Sequence, residues 1–297
     1  MLRGSLVAIV TPMTADGTLD WAAWDRLLDF HVREGTDGIV IAGTTGESPT
    51  LSMEETEGLT RRAVERVGGK VKLIVGSGTN ATASTVARTR TLSGLGVDAV
   101  MLVTPYYNKP PQEGLFRHFS AAADASEVPV VLYNVPSRTA VDLQPATVAR
   151  LARHPRIAAL KDASASLGRL RDLLNACPAD FSVLSGDDAT AIEWVGAGAH
   201  GVISVTANAA PRRMREACAA ALAGDMTSAR AMDAELQPLH RNLFVEANPI
   251  PVKWAVARMG LIGGAIRLPL VELPLAQHDT VLGAMRAAGI RLEDQAA

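Results

Sequence analysis

The sequence predicts an α/β protein folded as a (β/α)₈ (TIM) barrel with a C-terminal helical appendage. Short apolar runs alternate with amphipathic helical patterns, as in parallel strands that are joined by helical crossovers. This unit occurs eight times before residue 224. A chain of 297 residues also has the size that such barrels reach as one domain. We therefore expect residues 1–224 to form a catalytic barrel and residues 225–297 to form a helical region.

Each predicted strand is a run of four or five mostly apolar residues with turn-forming residues beside it. The runs are Leu6 to Val10, Gly38 to Ala42, Lys72 to Gly76, Ala99 to Val103, Val130 to Asn134, Ile157 to Lys161, Ser182 to Ser185 and Gly201 to Ser204. Because each run is followed by a helical pattern, the sequence predicts parallel strands.

Helical periodicity fills the intervals between these runs. The helices are predicted at Trp21 to Arg33, Met53 to Val67, Ala81 to Ser93, Gln112 to Ala125, Gln144 to Ala152, Leu167 to Ala176, Ala189 to Val195 and Asn208 to Leu222. Ser52 with Glu55 predicts a capping box, and Asp187 or Asp188 predicts a cap for the seventh helix. Three further helices are expected at Met226 to Leu243, Val252 to Met259 and Thr280 to Ala288.

Composition excludes several classes of partner. The formal net charge is -2 and 20% of the residues are charged, so no surface for nucleic acid or polybasic membrane patch is expected. No apolar run reaches the length of a membrane span, and the first ten residues are too short for a signal peptide. Cys177 and Cys218 match no redox or disulfide spacing. We expect a cytoplasmic protein whose partners are small molecules or further copies of itself.

Three motifs that suggest cofactors do not fit their usual context. The G-x-G-x-x-G match from Gly196 to Gly201 leads into a strand, whereas a dinucleotide site requires it to leave one. The segment from Gly76 to Asn80 lacks the lysine of a P-loop, and the histidines form no H-E-x-x-H pattern. The sequence therefore predicts neither a metal nor an organic cofactor.

In barrels of this kind the active site lies at the carboxyl ends of the strands. The segments that fall there are Gly43 to Glu47, Thr104 to Pro110, Tyr133 to Thr139, Lys161, Ser185 to Asp188 and Ile203 to Thr206. Each has an ordinary structural explanation when it is taken alone. Together they bring a lysine, phenols, neighbouring threonines and an arginine to one rim of the barrel. This set of side chains contains a nucleophile, a proton relay and a group that binds an anion.

Lys161 is the candidate nucleophile because it follows the apolar run of the sixth strand. A lysine at the end of a strand ordinarily extends its ammonium group to water. Burial at the barrel mouth would instead lower its pKa and increase the neutral fraction, which is only about four molecules in ten thousand for a free lysine. A neutral amine attacks a ketone to give an imine, which assists loss of a neighbouring proton. The resulting enamine is a carbon nucleophile.

The neighbouring side chains suit the other steps of such a reaction. Tyr133 can carry protons during imine formation, and Thr44 with Tyr107 can complete a relay to solvent. Thr45 suits a carboxylate next to the ketone. Arg138 suits a second carboxylate on the acceptor, which a guanidinium group binds bidentately.

Seven segments resemble the dihydrodipicolinate synthase family of the pyruvate-dependent class I aldolase superfamily, which also contains N-acetylneuraminate lyase. They are GTTGE, YYNKP, YNVPSRT, KDAS, SGDD, GVISVTAN and NPIPVK. The resemblance extends from about residue 4 to residue 290. It implies a lyase that condenses pyruvate, held as a Schiff base, with L-aspartate-4-semialdehyde in the diaminopimelate route to L-lysine.

The resemblance also implies individual roles and an assembly. Lys161 would form the Schiff base, Tyr133 would act as the general acid and base, and Tyr107 would reach the relay with Thr44 from a neighbouring subunit. The substrate-binding residues would be Thr45, Arg138 and the backbone of Gly186 and Ile203. Members of the family are usually homotetramers, built as dimers of dimers.

One departure from the family concerns feedback control. Ser48, Asn80 and Tyr106 suit the regulatory cleft that lysine-inhibited members of the family have. Ser84, Met53 and Thr56 stand where those members carry an acidic residue and often histidines. Without a carboxylate for the lysine amine, we expect weak or absent inhibition by L-lysine. We attach no function to Asp162, which replaces a glutamate.

Two other functions stay open from the sequence. A related pyruvate-dependent aldolase could use a sugar acid or another aldehyde as its acceptor. A non-catalytic paralogue could bind a keto acid as a sensor, although the complete set of reactive side chains argues against it. Assays with the semialdehyde and with sugars would separate the two enzymes.

Overall fold

The structure is a computed structural model and describes residues 2–292. Eight parallel strands close into a barrel in sequence order, and β8 pairs with β1. The strands are β1 Gly4–Ala8, β2 Gly38–Ile41, β3 Lys72–Gly76, β4 Ala99–Val103, β5 Val130–Asn134, β6 Ile157–Asp162, β7 Ser182–Ser185 and β8 Gly201–Ser204. The predicted fold class is confirmed.

Strand β1 begins two residues earlier than the apolar run indicates. Its register pairs Leu6 with Gly38 of β2 and Gly4 with Gly201 of β8. Beyond the strand, the Val10 N–H donates to the side-chain oxygen of Asn208, 2.9 Å away, and does not continue the ladder. The apolar run is therefore longer than the strand because its last residues are buried in the loop after it.

Twelve helices surround and extend the barrel within residues 2–292. They are α1 Trp21–Arg33, α2 Met53–Val67, α3 Thr82–Ser93, α4 Gln112–Asp124, α5 Pro136–Thr139, α6 Pro145–Leu151, α7 Leu167–Ala176, α8 Ala191–Gly196, α9 Pro211–Leu222, α10 Met226–Asn242, α11 Ile250–Arg258 and α12 His278–Ala287. The single-turn helix α5 was not expected, and α9 begins three residues later than predicted.

The predicted helix caps are present. The Ser52 hydroxyl accepts from the Glu55 N–H, and the Glu55 carboxylate accepts from the Ser52 N–H. Asp187, and not Asp188, caps the 3₁₀ turn before α8, because its carboxylate accepts from the Thr190 N–H. The Asp188 carboxylate instead accepts hydrogen bonds from the backbone after β8.

Side chains of the strands alternate between two apolar layers. Val131 and Tyr133 of β5 point into the barrel interior, whereas Leu132 belongs to the layer between strands and helices. On β6, Ala159 points inward and Leu160 points outward. Because this alternation has a period of two, Lys161 points into the mouth of the barrel. The alternation along β6 is therefore sufficient to direct the Lys161 side chain inward.

The helices after residue 224 continue the helical layer. Helix α10 packs against α9 and α12, and α11 packs against α12. The expected boundary at residue 224 stays a prediction, and the ends of the expected regions, Met1 and residues 293–297, lie outside the described residues. Within residues 2–292, no helix is long and apolar enough to cross a membrane.

Candidate active site

Lys161 lies at the carboxyl end of β6, with only 5% of its surface exposed. It is paired in register with Tyr133 of β5, and its Nζ atom lies 4.3 Å from the centroid of the Tyr133 ring. Among the described residues, no carboxylate forms an ion pair with it. Burial lowers the pKa of the Lys161 amine to about 8. The neutral amine is therefore far more abundant than in an exposed lysine.

Two charges of opposite sign act on the Lys161 amine at longer range. The carboxylate of Asp188 raises its pKa, and the guanidinium group of Arg138 lowers it. Asp188 is itself buried, and its Oδ2 atom accepts from the N–H groups of Val205 and Thr206, each 2.9 Å away. Sequence reasoning placed Asp188 in a rim segment and treated it as a possible helix cap, but it did not identify the effect of this carboxylate on the Lys161 amine.

Gly186 lies close to the lysine, and Ile203 points into the barrel interior. A Cβ atom built on Gly186 would lie 3.0 Å from Cε of Lys161 and 3.0 Å from Cβ of Ala163, so a side chain would press on the lysine stem. Ile203 belongs to the same inner layer as Tyr133. The structure therefore brings both residues to the side of the barrel where the amine points.

Tyr133, Thr44 and Arg138 line one cavity of about 390 Å³. Burial raises the pKa of the Tyr133 phenol, while the charge of Arg138 and the Thr44 side chain act in the opposite direction. The phenol is therefore protonated at neutral pH and able to donate a proton. The structure joins these three predicted residues at one site.

Asn248 connects the two predicted carboxylate-binding residues. Its Nδ2 donates to the Thr45 hydroxyl, 3.1 Å away, and its carbonyl accepts from Nη2 of Arg138 at 3.3 Å. Thr45 is buried, and Arg138 is carried by the short helix α5. In the sequence, Asn248 was noted only as part of the NPIPVK segment that resembles the family, and no contact was assigned to it.

A buried ion pair anchors the loop that carries both threonines. Glu47 ends this loop with a positive φ of 58° and pairs with Lys253 of α11. The second carboxylate oxygen of Glu47 accepts from the Arg267 N–H, 3.1 Å away. Both Glu47 and Lys253 are almost completely buried. Sequence reasoning did not identify this pair, because its members lie far apart along the chain.

A second polar cluster holds the end of β6 from outside the barrel. The buried Asp162 carboxylate accepts from Nδ2 of Asn134 at 3.0 Å and from Nε of Arg169 at 2.8 Å. Arg169 also forms an ion pair with Asp142. Because Asp162 follows Lys161 directly, this cluster fixes the strand end that presents the amine. No role for Asp162 was expected from the sequence.

Tyr107 lies apart from the other candidate residues. Its side chain is 87% exposed, and its backbone has a positive φ of 74°. Among residues 2–292, it forms no side-chain hydrogen bond to Thr44 or Tyr133. A single copy of the chain therefore does not complete the predicted relay, and the contribution of Tyr107 from a neighbouring copy stays a prediction.

The candidate regulatory residues are grouped beside the same cavity. Ser48 and Tyr106 line it, and Nδ2 of Asn80 donates to the Tyr106 carbonyl at 3.2 Å. Thr56 is buried and donates to the Ser52 carbonyl within α2, whereas Ser84 is exposed on α3. Ser48 and Tyr106 therefore share the cavity of Thr44 and Tyr133, and their regulatory role stays a prediction.

A closed barrel with a buried lysine at its mouth is characteristic of the class I aldolase type of barrel enzyme. Comparison with known proteins identifies the family. Residues 1–288 match the sequence model of the dihydrodipicolinate synthetase family, and the chain belongs to that family.

Individual relatives agree with this assignment. The 4-hydroxy-tetrahydrodipicolinate synthase of Azoarcus sp. (strain BH72) is 55% identical over 98% of this chain and 100% of its own. The chloride-inhibited dihydrodipicolinate synthase of Acinetobacter baumannii, solved in complex with pyruvate, is 46% identical, with a TM-score of 0.96 over 98% of this chain and 100% of its own. A monomeric dihydrodipicolinate synthase variant is 38% identical, with a TM-score of 0.95 over 98% of both chains.

Proposed function

We propose that this chain condenses pyruvate with L-aspartate-4-semialdehyde on the diaminopimelate route to L-lysine. The observation that carries the proposal is the buried Lys161, which points into the barrel mouth beside Tyr133 without a paired carboxylate. The names of the relatives and the pyruvate complex of the Acinetobacter baumannii enzyme support the same reaction.

Lys161 begins the reaction as a neutral amine. With a pKa of about 8, roughly one molecule in ten is neutral at pH 7, which is hundreds of times more than for an exposed lysine. The amine attacks the keto carbon of pyruvate, water leaves, and a protonated imine forms. The imine draws electrons from the methyl carbon, which loses a proton to give the enamine.

Tyr133 is the group placed to move these protons. Its protonated phenol can donate to the departing hydroxyl group of the carbinolamine and later accept the methyl proton. Thr44 lies in the same cavity and can pass the proton on. Tyr107 of a neighbouring copy completes the relay to solvent in our proposal.

Separate residues bind the two substrate carboxylates. Thr45 binds the pyruvate carboxylate, with the backbone of Gly186 and Ile203 lining the pocket. Arg138 binds the carboxylate of the semialdehyde, and its bond to the Asn248 carbonyl orients the guanidinium group. The enamine attacks the aldehyde carbon. The amino group of the acceptor then attacks the imine carbon, closes the ring and releases Lys161.

The assembly and the location of the protein belong to the same proposal. We propose a cytoplasmic homotetramer built as a dimer of dimers, because the exposed Tyr107 has no role in an isolated chain. The monomeric variant among the structural neighbours means that the fold alone does not fix the assembly. We also propose that residues 1–224 form the catalytic unit and that L-lysine inhibits the enzyme weakly or not at all.

Borohydride reduction in the presence of pyruvate tests the proposal. The lysines of this chain are Lys70, Lys72, Lys109, Lys161 and Lys253. Peptide mass mapping should find the reduced adduct on Lys161 alone. An adduct on another lysine, or no adduct, would remove the basis of the mechanism. Turnover of pyruvate with the semialdehyde but not with sugars would exclude the sugar-acid aldolase and the keto-acid sensor.

A further inference from the structure

One face of helix α10 directs polar side chains toward the loops at the carboxyl end of the barrel. Asp233, Gln237 and His240 follow one another at helical spacing, so they share this face. Nε2 of Gln237 donates to the Asp233 carboxylate at 2.7 Å and to the carbonyl of Ala189, after β7, at 2.9 Å. The proposed function gives none of these residues a role.

His240 connects this face to the loop after β8. Its Nδ1 atom lies 2.8 Å from the Thr206 hydroxyl, and its Nε2 atom lies 3.2 Å from Oδ1 of Asp233. Because a carboxylate only accepts, Nε2 donates to Asp233, and Nδ1 of a neutral ring accepts from the Thr206 hydroxyl. Both His240 and Thr206 are almost completely buried. The histidine therefore fixes where Thr206 lies in the fold.

Thr206 in turn holds a carboxylate at the mouth of the barrel. Its backbone N–H donates to Oδ2 of Asp188 at 2.9 Å, and the N–H of Val205 donates to the same oxygen. The other oxygen, Oδ1, is buried and has no hydrogen-bond partner among residues 2–292. A buried carboxylate oxygen without a donor is costly to the fold, and a positive charge nearby offsets that cost.

The groups around the Lys161 amine show what this carboxylate acts on. Asp188 after β7 raises the pKa of the amine, and Arg138 of α5 lowers it. Burial raises the pKa of the Tyr133 phenol on β5, so that group is neutral. Asp162, the next residue of β6, is paired with Arg169. Asp188 is therefore the acidic group that acts on the amine, and the imine formed there carries the same positive charge.

We propose that His240 is a positioning residue for the reaction: through Thr206 it holds the Asp188 carboxylate where it stabilises the positive charge of the imine. The inference rests on the proposed function, because it concerns the imine formed on Lys161. The His240 ring touches no reacting atom. A backbone N–H lies between the Thr206 hydroxyl and Asp188, so the connection holds the carboxylate and transfers no proton.

The pH profile of pyruvate trapping with cyanoborohydride, followed on the Lys161 peptide of the full chain, tests the inference. His240→Leu removes the bond to Thr206, so the carboxylate is held less firmly and both cationic forms of Lys161 lose support. The inflection should move to lower pH by about half a unit. The plateau rate should fall roughly tenfold, because the imine is less stable. Asp188→Asn should move the inflection further in the same direction.

His31→Leu is the matched control. His31 is also completely buried, and its Nδ1 atom lies 3.0 Å from the Thr36 hydroxyl, but Thr36 precedes β2 at the opposite end of the barrel. This variant should lose stability in denaturant titration and keep the wild-type inflection. His240→Asn retains an amide that can accept from the Thr206 hydroxyl, and it should restore the wild-type profile. An unchanged inflection in His240→Leu, or an equal shift in His31→Leu, would overturn the inference.

Thr206→Val covers the case in which His240→Leu does not fold. It removes the hydroxyl and keeps the N–H that donates to Asp188, and it should shift the inflection as His240→Leu does. A wild-type profile in Thr206→Val would refute the positioning role alone, because the adduct on Lys161 would still form. Absence of that adduct in the wild-type chain would instead remove the proposed function together with this inference.

Discussion

Two buried lysines of this chain differ in what surrounds their ammonium groups. Lys161 is 5% exposed and Lys253 is 1% exposed, and burial lowers the pKa of both. Lys253 is paired with the buried carboxylate of Glu47, which acts against that change. Lys161 has no paired carboxylate among the described residues, and only the more distant Asp188 opposes the effect of burial.

The comparison shows that burial alone does not make a lysine reactive. A buried lysine with a bonded carboxylate stays charged and connects two parts of the fold, here the loop after β2 and helix α11. A buried lysine without one gives up its proton more easily, which is what the imine formation proposed for Lys161 requires.

Removal of the reactive amine should have the largest effect. Lys161→Met is expected to lower kcat by roughly 10⁴-fold or more, because the nucleophile is lost and no other group can form the imine. Steady-state assays and pyruvate trapping measure this loss. Lys253→Met should still form the trapped adduct at Lys161. If Lys253→Met abolished trapping in a folded protein, the two lysines would not have separate roles.

Removal of the paired lysine should mainly affect stability. Lys253→Met leaves the Glu47 carboxylate buried and unpaired, and we expect the free energy of unfolding to fall by about 3–5 kcal/mol. Denaturant titration measures the change. The double variant Lys253→Met/Glu47→Gln should recover part of the loss, because no lone charge is then buried. A single variant as stable as the wild type would show that the pair does not hold this loop.

Removal of the Arg138 guanidinium group should weaken use of the semialdehyde and leave the reaction with pyruvate intact. Arg138→Ala is expected to reduce kcat/KM for the semialdehyde about 100-fold, because a bidentate charge-assisted contact is removed. Pyruvate trapping on Lys161 should remain. Arg150→Ala, a change at an arginine of α6 outside the cavity lining, is the matched control. Unchanged turnover in Arg138→Ala would count against its role.

The smallest expected effect is a gain in stability from Lys161→Met. The pKa of Lys161 is lowered from 10.5 to about 8, so burying its ammonium group opposes folding below pH 8. The unfolded chain binds more protons between those two values, and this cost therefore disappears as the pH rises through them. We expect a gain of about 1–3 kcal/mol at pH 7 that is absent above pH 10.5. Equal gains at both pH values would contradict the assignment.

Local pattern was sufficient to predict much of the fold and the position of Lys161. Strand and helix alternation defined the barrel, and the position of Lys161 two residues after the inward-facing Ala159 placed it at the mouth. The residues at which β1 begins and ends could not be predicted, because they depend on the register of β1 with β2 and β8. Those contacts are set by strands that are distant in the sequence.

The supporting contacts of the site were not predictable for the same reason. Glu47 and Lys253 are 206 residues apart, and Thr45 and Asn248 are 203 residues apart. Each of these residues has an ordinary local interpretation as part of a turn or a helix entry. These residues come into contact only in the folded barrel.

The pH dependence of imine formation measures whether the pKa of the Lys161 amine is lowered by its surroundings. The rate of trapping by pyruvate with cyanoborohydride is measured from pH 6 to pH 11, with the adduct quantified on the Lys161 peptide. A buried amine without a paired carboxylate predicts a rise with an inflection near the pKa of about 8. An inflection near the ordinary lysine pKa of about 10.4 would show that the amine is not perturbed by its surroundings, and would contradict the account.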